Sequence, residues 1–282
     1  MNPQLLNEIS RNVEIALEED RVFHDLTSRV CFPKNSQAEV KIFLKTAATV
    51  SGLPLLPHIA YPIDPYVEID KRVKEGKRCE PETVLAVLRG NIHSLLSMER
   101  ILLNFIQLAT SISTKTAEFV EAVKGCSCDI LDTRKTLPGL RHLQKYAVRM
   151  GGGKNHRFHL ADQILIKDNH LSHLSLHHTS PITDMTARAK AEYPEKKIQV
   201  EVSDLKMFEE ALKARPDAIL LDNMNVEEVK KAVILNRGEI YLEASGKMNL
   251  QNIRSYAETG VNGISIGELT HSIKAVDISM KI

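Results

Sequence analysis

A run of basic side chains in the middle of the chain suggests where chemistry takes place. Between Arg134 and Lys167 there are eight Lys and Arg residues and one acid, Asp162, although the whole chain has a formal net charge of only +1. A local positive charge of this kind suits a small ligand that carries several negative charges. We therefore expect this segment to form the floor of an anion-binding site.

Not every base in this segment is placed to bind a ligand. Pro138 begins and Gly151 ends a predicted helix, and its apolar side leaves three bases four residues apart on the other face: Arg141, Lys145 and Arg149. We expect these three to form a solvated or domain-contact face. The better candidates for the ligand lie outside helices: Arg134, Lys135, His156, Arg157 and Lys167. Arg pairs with carboxylates through two parallel hydrogen bonds, and Lys suits phosphate oxygens.

The elements that position these bases follow from the hydrophobic pattern. From Cys128 onward, six apolar runs alternate with helix-like segments, and the runs are too apolar to face water on either side. This pattern predicts a parallel (β/α) barrel, short of the full eight strands. The runs close near Asp132, Lys167, Glu201, Asp222, Glu243 and Gly267. Since the carboxyl ends of such strands converge, we expect these residues to share one pocket, although any single one could merely cap a loop.

The first 110 residues have a different pattern. A helical start, strand-like runs and turn signals near Gly52 and Gly76 predict an α+β domain. The predicted organisation is an N-terminal α+β sandwich domain at 1–110, an incomplete α/β barrel at 111–272, and a tail at 273–282 that returns to the first domain.

Residues after the later predicted strands add the remaining parts of a site. Ser245, Gly246 and Gly267 follow the last two strands, where barrels bind phosphate through backbone N–H groups. Glu201 and Asp222 offer carboxylates for a hard divalent cation or for ribose hydroxyls. Neither the triple glycine at 151–153 nor the ASGK sequence at 244–247 fits a nucleotide-binding fingerprint.

Histidine and cysteine residues do not predict a metal centre. The run 170–180 contains no Cys, Asp or Glu, so we interpret its histidines as part of a surface helix: His170, His173, His177 and His178. The cysteines are too scattered for a disulfide framework, and we expect reduced thiols at Cys31, Cys79, Cys126 and Cys128.

Composition is typical of a folded protein, with 26% charged and 43% hydrophobic residues. The N-terminus lacks the features of a secretory signal, and we expect no stretch to be long and apolar enough to span a membrane. The near-neutral charge disfavours a nucleic-acid partner. We expect a cytoplasmic protein that binds neither membrane nor nucleic acid.

The residues of the basic segment also carry a resemblance. DTRKTLPGLRHLQKYAVRMGGGKNHRFHLADQILIKDNH resembles the signature of the quinolinate phosphoribosyltransferases, or nicotinate-nucleotide diphosphorylases (carboxylating). The likeness extends to EED…DLTS, SMERILLNF, VEVSDL, ILLDNM, EASG and ISIGELTHS, and so to nearly the whole chain. It implies a type II phosphoribosyltransferase that uses magnesium. Such an enzyme converts quinolinate and 5-phosphoribosyl 1-diphosphate into nicotinate mononucleotide, diphosphate and carbon dioxide, in the de novo biosynthesis of NAD.

The resemblance further implies a homodimer or a higher homo-oligomer, and a role for each site residue. The quinolinate carboxylates would be bound by Arg134, His156 and Arg157, with Arg100 reaching across from the partner subunit. The catalytic set would be Lys135 and Lys167, near the reacting groups and the diphosphate, with Glu201 and Asp222 near ribose and magnesium. The 5-phosphate would lie at Ser245, Gly246, Gly267 and His271.

The sequence departs from the family pattern in two places. The segment EDRVFHDLT lacks two glycines, and Lys247 occupies the place of the second glycine of an EASGG pattern.

The alternative functions are those of a molybdenum-transport-associated homologue of the same fold, a nicotinate-specific relative, and a non-catalytic anion-binding or RNA-binding protein. The set of Arg100, Arg134, His156 and Arg157 favours a dicarboxylate, while the acids Glu201 and Asp222 disfavour a bare polyanion.

Overall fold

The computed structural model describes residues 3–174 and 180–282. The chain divides into two compact units, each assembled from separate stretches of sequence. The first comprises Met1–Ala117, Lys135–Gly152 and Leu269–Ile282, and the second comprises Glu118–Arg134 and Gly153–Glu268. His177 and His178 of the predicted surface helix lie outside the described residues, as does the side chain of His173.

Helices and strands alternate along most of the described chain. The α-helices are α1 (Pro3–Glu19), α2 (Leu26–Cys31), α3 (Leu56–Ala60), α4 (Ile92–Ala122), α5 (Arg141–Met150), α6 (Asp168–Leu174), α7 (Pro181–Glu192), α8 (Leu205–Ala214), α9 (Val226–Asn236), α10 (Ile253–Ala257) and α11 (Glu268–His271). The β-strands are β1 (Gln37–Leu44), β2 (Ala48–Thr49), β3 (Glu68–Lys71), β4 (Arg78–Cys79), β5 (Val84–Asn91), β6 (Asp129–Leu131), β7 (Ile164–Ile166), β8 (Ile198–Val202), β9 (Ala218–Asp222), β10 (Tyr241–Ser245), β11 (Gly263–Ser265) and β12 (Ile278–Lys281). Short 3-10 turns occur at Val22–His24 and Leu53–Leu55.

The first unit is built on an antiparallel sheet with strand order β12-β1-β5-β3. Alternate residues of β1, namely Val40, Ile42 and Leu44, are fully buried, as expected when one face of a sheet packs on a core. The C-terminal strand β12 pairs with β1, where Leu44 lies opposite Ile278. With its helices, this unit confirms the predicted α+β sandwich.

Helix α4 spans the position near residue 110 where the sequence suggested a boundary. The compact units also differ from the suggested ranges because 135–152 belongs to the first unit. Hydroxyls on α4 accept hydrogen bonds from the short strand β2 and from the loop after it: Thr114 Oγ1 accepts from the Thr49 N–H at 2.9 Å, and Thr110 Oγ1 accepts from the Ser51 N–H at 3.2 Å. These bonds satisfy backbone groups that would otherwise be buried without partners.

Helix α4 corrects the expectation that no stretch of the chain is long and apolar enough to span a membrane. Among the described residues, α4 is the one helix that is long and apolar enough to cross a membrane, with a mean hydropathy of 1.2 over its most apolar window. That window is 61% buried in the structure, and buried core helices commonly pass the same test of length and composition.

Helix α5 begins and ends close to the predicted positions, but its basic face differs from the prediction. Of the two expected alternatives, a solvated or a domain-contact face, the solvated one does not hold for Lys145, which is fully buried, while Arg149 is exposed. The reason is that α5 is enclosed within the first unit. Glu8 of α1 accepts the N–H groups of His142 and Leu143 at 2.9 and 2.8 Å. At the other end, a Cβ on Gly151 would lie 2.4 Å from the Ser113 carbonyl oxygen of α4.

The second unit contains a six-stranded parallel sheet with strand order β6-β11-β10-β9-β8-β7. Its strands are the six apolar runs predicted from the sequence, and all residues of β8 are buried. Because β6 and β7 occupy the two edges, the sheet is the incomplete barrel that was predicted. The chain after α5 adds to the β6 edge through a parallel bridge between Leu131 and Lys154.

Candidate active site

The carboxyl end of the six-stranded sheet brings together several of the predicted site residues. Lys167 directly follows β7, and Glu201 is the next-to-last residue of β8. The Lys167 ammonium forms a salt bridge with the Glu201 carboxylate. Asp222 and Ser245 are the last residues of β9 and β10, and they lie opposite each other in the sheet register. These four side chains therefore belong to neighbouring strand ends.

Glu243 does not lie at this rim, contrary to the expectation from the sequence. Strand β10 continues two residues further, to Ser245, and Glu243 is only 2% exposed. Gly267 lies two residues beyond the end of β11. The difference arises because apolarity marks the middle of a strand better than it marks the end.

The segment that contains His156 contacts both edges of the open sheet. The His156 N–H donates to Asp132 Oδ1 at 2.9 Å, directly after β6, and Asn155 Nδ2 donates to Asp132 Oδ2 at 2.6 Å. The Arg157 guanidinium donates to the Gln163 carbonyl oxygen at 3.2 Å, just before β7. The segment thus spans the gap that the missing strands leave in the barrel.

Arg134 and Arg157 form a cationic pair in this gap. Burial and the nearby charge of Arg134 lower the pKa of Arg157, while Asp162 and Glu201 act in the opposite direction. A guanidinium stays protonated in proteins, so the lowered pKa of Arg157 reflects first the cost of burying this cation and then its repulsion by Arg134. The Nε of Arg134 is buried and has no hydrogen-bond partner among the described residues. An anion bound between the two guanidinium groups would offset their repulsion and would accept a hydrogen bond from Arg134 Nε.

A turn with left-handed backbone follows β10 at the predicted phosphate position. Gly246 has φ +100, and a Cβ there would lie 2.4 Å from Asn223 Oδ1, so the site accepts only glycine without rearrangement. Asn223 itself has φ 56, and its N–H donates to the Ser245 carbonyl oxygen at 2.9 Å. The ends of β9 and β10 are therefore joined by a tight backbone contact beside Asp222 and Ser245.

The other predicted site residues lie in the first unit. Arg100 is an exposed residue of α4. Lys135 is exposed, and its carbonyl oxygen accepts from Thr270 Oγ1 at 2.7 Å. His271 is exposed at the end of α11, with Nδ1 2.6 Å from Ser272 Oγ.

Comparison with known proteins identifies the family. A model of the quinolinate phosphoribosyl transferase N-terminal domain matches residues 25–110, and a model of the C-terminal domain of the same family matches residues 112–281. The chain belongs to the quinolinate phosphoribosyl transferase family. The nicotinate-nucleotide pyrophosphorylase [carboxylating] of Mycobacterium leprae is 36% identical to it over 95% of this chain and 94% of its own.

Further relatives agree with this assignment. A probable nicotinate-nucleotide pyrophosphorylase [carboxylating] of Bacillus subtilis is 39% identical over 92% of this chain and 88% of its own. The structure of the nicotinate-nucleotide pyrophosphorylase from Francisella tularensis superposes with a TM-score of 0.91, at 33% identity, over 98% of this chain and 96% of that one. The likeness therefore extends over both domains of the family.

The structure accommodates both departures from the quinolinate phosphoribosyl transferase pattern. Lys247 has φ 51, a left-handed conformation that glycine adopts freely and that costs lysine about 1–2 kcal/mol. Near the N-terminus, Val22 and His24 occupy the positions of the missing glycines within a 3-10 turn, which Arg21 precedes with φ 46. Asp25 then caps α2 by accepting from the N–H groups of Thr27 and Ser28 at 3.0 and 3.2 Å.

The carboxylates of Glu201 and Asp222 fit a metal ion that is held mainly by the phosphates of a bound substrate. No group of three or more His, Cys, Asp or Glu side chains suited to a metal occurs in the described part of the chain. Glu201 is paired with Lys167, and Asp222 Oδ2 accepts from Asn223 Nδ2 at 2.7 Å, which leaves a few carboxylate oxygens on neighbouring strands. Magnesium is typically bound in this way, by one or two carboxylates together with substrate phosphates.

Sequence reasoning missed a buried polar layer beneath the rim. Gln199 and Glu243 are each 2% exposed, and Gln199 Nε2 donates to Glu243 Oε2 at 2.8 Å. A signal was present in the sequence, because Gln199 is two residues before Glu201 and Glu243 two before Ser245. Residues two apart on a strand share a face, so polar pairs in otherwise apolar strands indicate an interior polar layer.

Proposed function

We propose that the chain catalyses the reaction named for its relatives, the transfer of phosphoribosyl from 5-phosphoribosyl 1-diphosphate to quinolinate with loss of carbon dioxide. The observation that carries this proposal is the cationic pair of Arg134 and Arg157, with a buried donor that has no partner among the described residues. Two adjacent carboxylates on a pyridine ring match two neighbouring guanidinium groups. The product is nicotinate mononucleotide, and the function belongs to NAD biosynthesis.

In this proposal, the chain's cations do most of the binding and much of the charge stabilisation. Arg134 and Arg157 bind the dicarboxylate, with the Arg100 of a second subunit. Ser245, Gly246, Gly267 and His271 bind the 5-phosphate, and Lys135 and Lys167 stabilise the departing diphosphate. Glu201 and Asp222 interact with ribose and with magnesium, which would supply positive charge to the diphosphate oxygens. Holding both substrates in register contributes a large part of the rate.

The proposed bond changes balance without an added reductant or oxidant. The pyridine nitrogen attacks the ribose C1, the bond from C1 to the diphosphate oxygen breaks, and its electron pair leaves with diphosphate. The bond between ring C2 and its carboxylate then breaks, and carbon dioxide leaves. The electron pair that remains at C2 is stabilised by the positively charged ring nitrogen and takes up a proton. We further propose that the enzyme is a cytoplasmic homodimer without a nucleic-acid partner.

A comparison of two pyridine substrates tests the proposed function. Purified protein, 5-phosphoribosyl 1-diphosphate and magnesium are incubated with quinolinate or with nicotinate, and nicotinate mononucleotide is measured. We expect turnover of quinolinate and at least a 100-fold lower kcat/KM for nicotinate, since a missing carboxylate leaves a half-buried guanidinium without its partner. Omission of magnesium should abolish turnover. A preference for nicotinate, or no product with either acid, would reject the assignment.

Gly246→Ala tests the phosphate position. The new Cβ would overlap Asn223 and require a φ of +100, so we expect a loss of about 1–3 kcal/mol in unfolding free energy and a KM for 5-phosphoribosyl 1-diphosphate raised about 10-fold. The matched control is Gly238→Ala, which has φ +76 but no atom within 4 Å of the new Cβ. It should lose stability through backbone strain alone and keep its KM. Equal KM values in the two variants would contradict the assigned role.

A further inference from the structure

We propose that Asp132 is a positioning residue, whose buried carboxylate holds the segment 154–157 at the carboxyl end of β6 and so keeps Arg157 beside Arg134 for the binding of a pyridine dicarboxylate. The proposal rests on the proposed function for the identity of the ligand. Asp132 does not contact the substrate in this role, and Arg134, His156 and Arg157 remain the groups that bind it.

A parallel backbone pairing joins the segment 154–157 to the edge of the six-stranded sheet. Leu131, the last residue of β6, forms a parallel bridge with Lys154. The Lys154 N–H donates to the Ile130 carbonyl oxygen at 2.8 Å, and the Asp132 N–H donates to the Lys154 carbonyl oxygen at 3.2 Å. The segment therefore continues the sheet at its β6 edge.

The register of this pairing places the two arginines side by side. Residues of two parallel chains advance in step, so a bridge between Leu131 and Lys154 makes Arg134 level with Arg157 three residues further on. The pKa of Arg157 agrees with this proximity, because it is lowered by burial and further by the charge of Arg134. Since the two cations repel each other, the pairing needs contacts that resist their separation.

The Asp132 carboxylate supplies these contacts. Asp132 is fully buried, and each carboxylate oxygen accepts a hydrogen bond from the segment: Oδ1 from the His156 N–H at 2.9 Å, and Oδ2 from Asn155 Nδ2 at 2.6 Å. A buried carboxylate only accepts, so it depends on such donors. Asp132 is two residues before Arg134, and Asn155 is two residues before Arg157. Their hydrogen bond thus joins the two chains just before each arginine.

Other contacts hold the segment on the side of β7 and β8. The Arg157 guanidinium donates to the Gln163 carbonyl oxygen at 3.2 Å, and His156 Nε2 lies 2.9 Å from Gln199 Oε1. Loss of the Asp132 contacts should therefore loosen the segment only on the side of β6. We expect a folded protein in which the spacing of the two arginines is no longer fixed before the dicarboxylate binds.

The first test measures the Asp132 contacts without turnover. Asp132→Asn sets a second amide donor against Asn155 Nδ2, so we expect amide hydrogen exchange of residues 154–157, measured by mass spectrometry, to become about 10-fold faster or more. The matched control Asp129→Asn removes the same charge from β6, but its carboxylate pairs with the exposed Lys154 ammonium, so exchange should stay at the wild-type rate. Equal exchange in the two variants would overturn the proposal. An inactive wild-type protein would reject the proposed function and leave this result unaffected.

The second test separates position from charge. Removal of a negative charge near two arginines would by itself favour an anion, so a purely electrostatic role of Asp132 predicts a lower KM for quinolinate in Asp132→Asn. The proposed role predicts the opposite, a KM for quinolinate raised about 10-fold with the KM for 5-phosphoribosyl 1-diphosphate within about 2-fold of wild type. Asp129→Asn should change neither KM. A lowered or unchanged KM for quinolinate in Asp132→Asn would contradict the proposal.

A reciprocal exchange of the two side chains completes the test. Adding Asn155→Asp to Asp132→Asn moves the carboxylate to the other chain and restores a donor opposite an acceptor, while the amide oxygen at position 132 still accepts the His156 N–H. We expect the double variant to regain slow exchange and most of its affinity for quinolinate. If Asp132→Asn does not fold, the double variant decides, since a folded double variant with fast exchange or a raised KM for quinolinate would overturn the proposal.

Discussion

Arg157→Lys lowers kcat/KM for quinolinate by about 100-fold or more and leaves the KM for 5-phosphoribosyl 1-diphosphate nearly unchanged, because lysine keeps the charge but loses the planar pair of donors. The arginine is half-buried beside Arg134, where a flexible ammonium group cannot replace a fixed guanidinium. Steady-state kinetics with each substrate varied in turn measures the effect.

The control for this change is an arginine outside the site. Arg188 is exposed on α7 and pairs with Glu192 on the same helix, so Arg188→Lys should retain wild-type kinetics. A similar loss in both variants would indicate a general effect on folding. If Arg157→Lys raised the KM of the phosphoribosyl donor instead, the assignment of the two anion positions would be reversed.

Two inactive variants recover activity when they are mixed, if Arg100 acts in the site of the partner subunit. In a dimer of Arg100→Ala and Arg157→Ala chains, one site has both arginines and the other has neither. Random exchange of equal amounts places half of the chains in mixed dimers, so we expect about a quarter of wild-type activity. The measurement is specific activity after the two variants have been unfolded and refolded together.

The controls for mixing are the two variants refolded separately and a mass measurement that demonstrates mixed dimers. Each variant alone should have at most about 1% of wild-type activity, given the loss of a charge-assisted pair. Mixed dimers without recovered activity would contradict a shared site, even if each variant remained inactive alone.

The sequence predicted the barrel strands well because their signal is local. Each of the six strands is an apolar run bounded by polar residues, and buried parallel strands produce that pattern whatever packs against them. Lys167, Asp222 and Ser245 were placed at strand ends for the same reason. Gly246 has a positive φ, a backbone conformation that glycine adopts without strain.

Features that depend on distant segments could not be predicted in this way. Lys145 has the spacing of a solvated helix face, but enclosure of α5 by α1 and α4 buries it. The buried polar side chains Gln199 and Glu243 are joined by a hydrogen bond that crosses from β8 to β10, and Gln199 also contacts His156. Periodicity gives the face on which a residue lies, but it does not give the partner that it meets there.

The most direct test of the proposed reaction uses quinolinate labelled with 14C in its 2-carboxylate. The wild-type protein with 5-phosphoribosyl 1-diphosphate and magnesium is expected to release labelled carbon dioxide, unlabelled nicotinate mononucleotide and diphosphate in equal amounts. Label retained in the nucleotide, or carbon dioxide released without the phosphoribosyl donor, would contradict the proposed reaction.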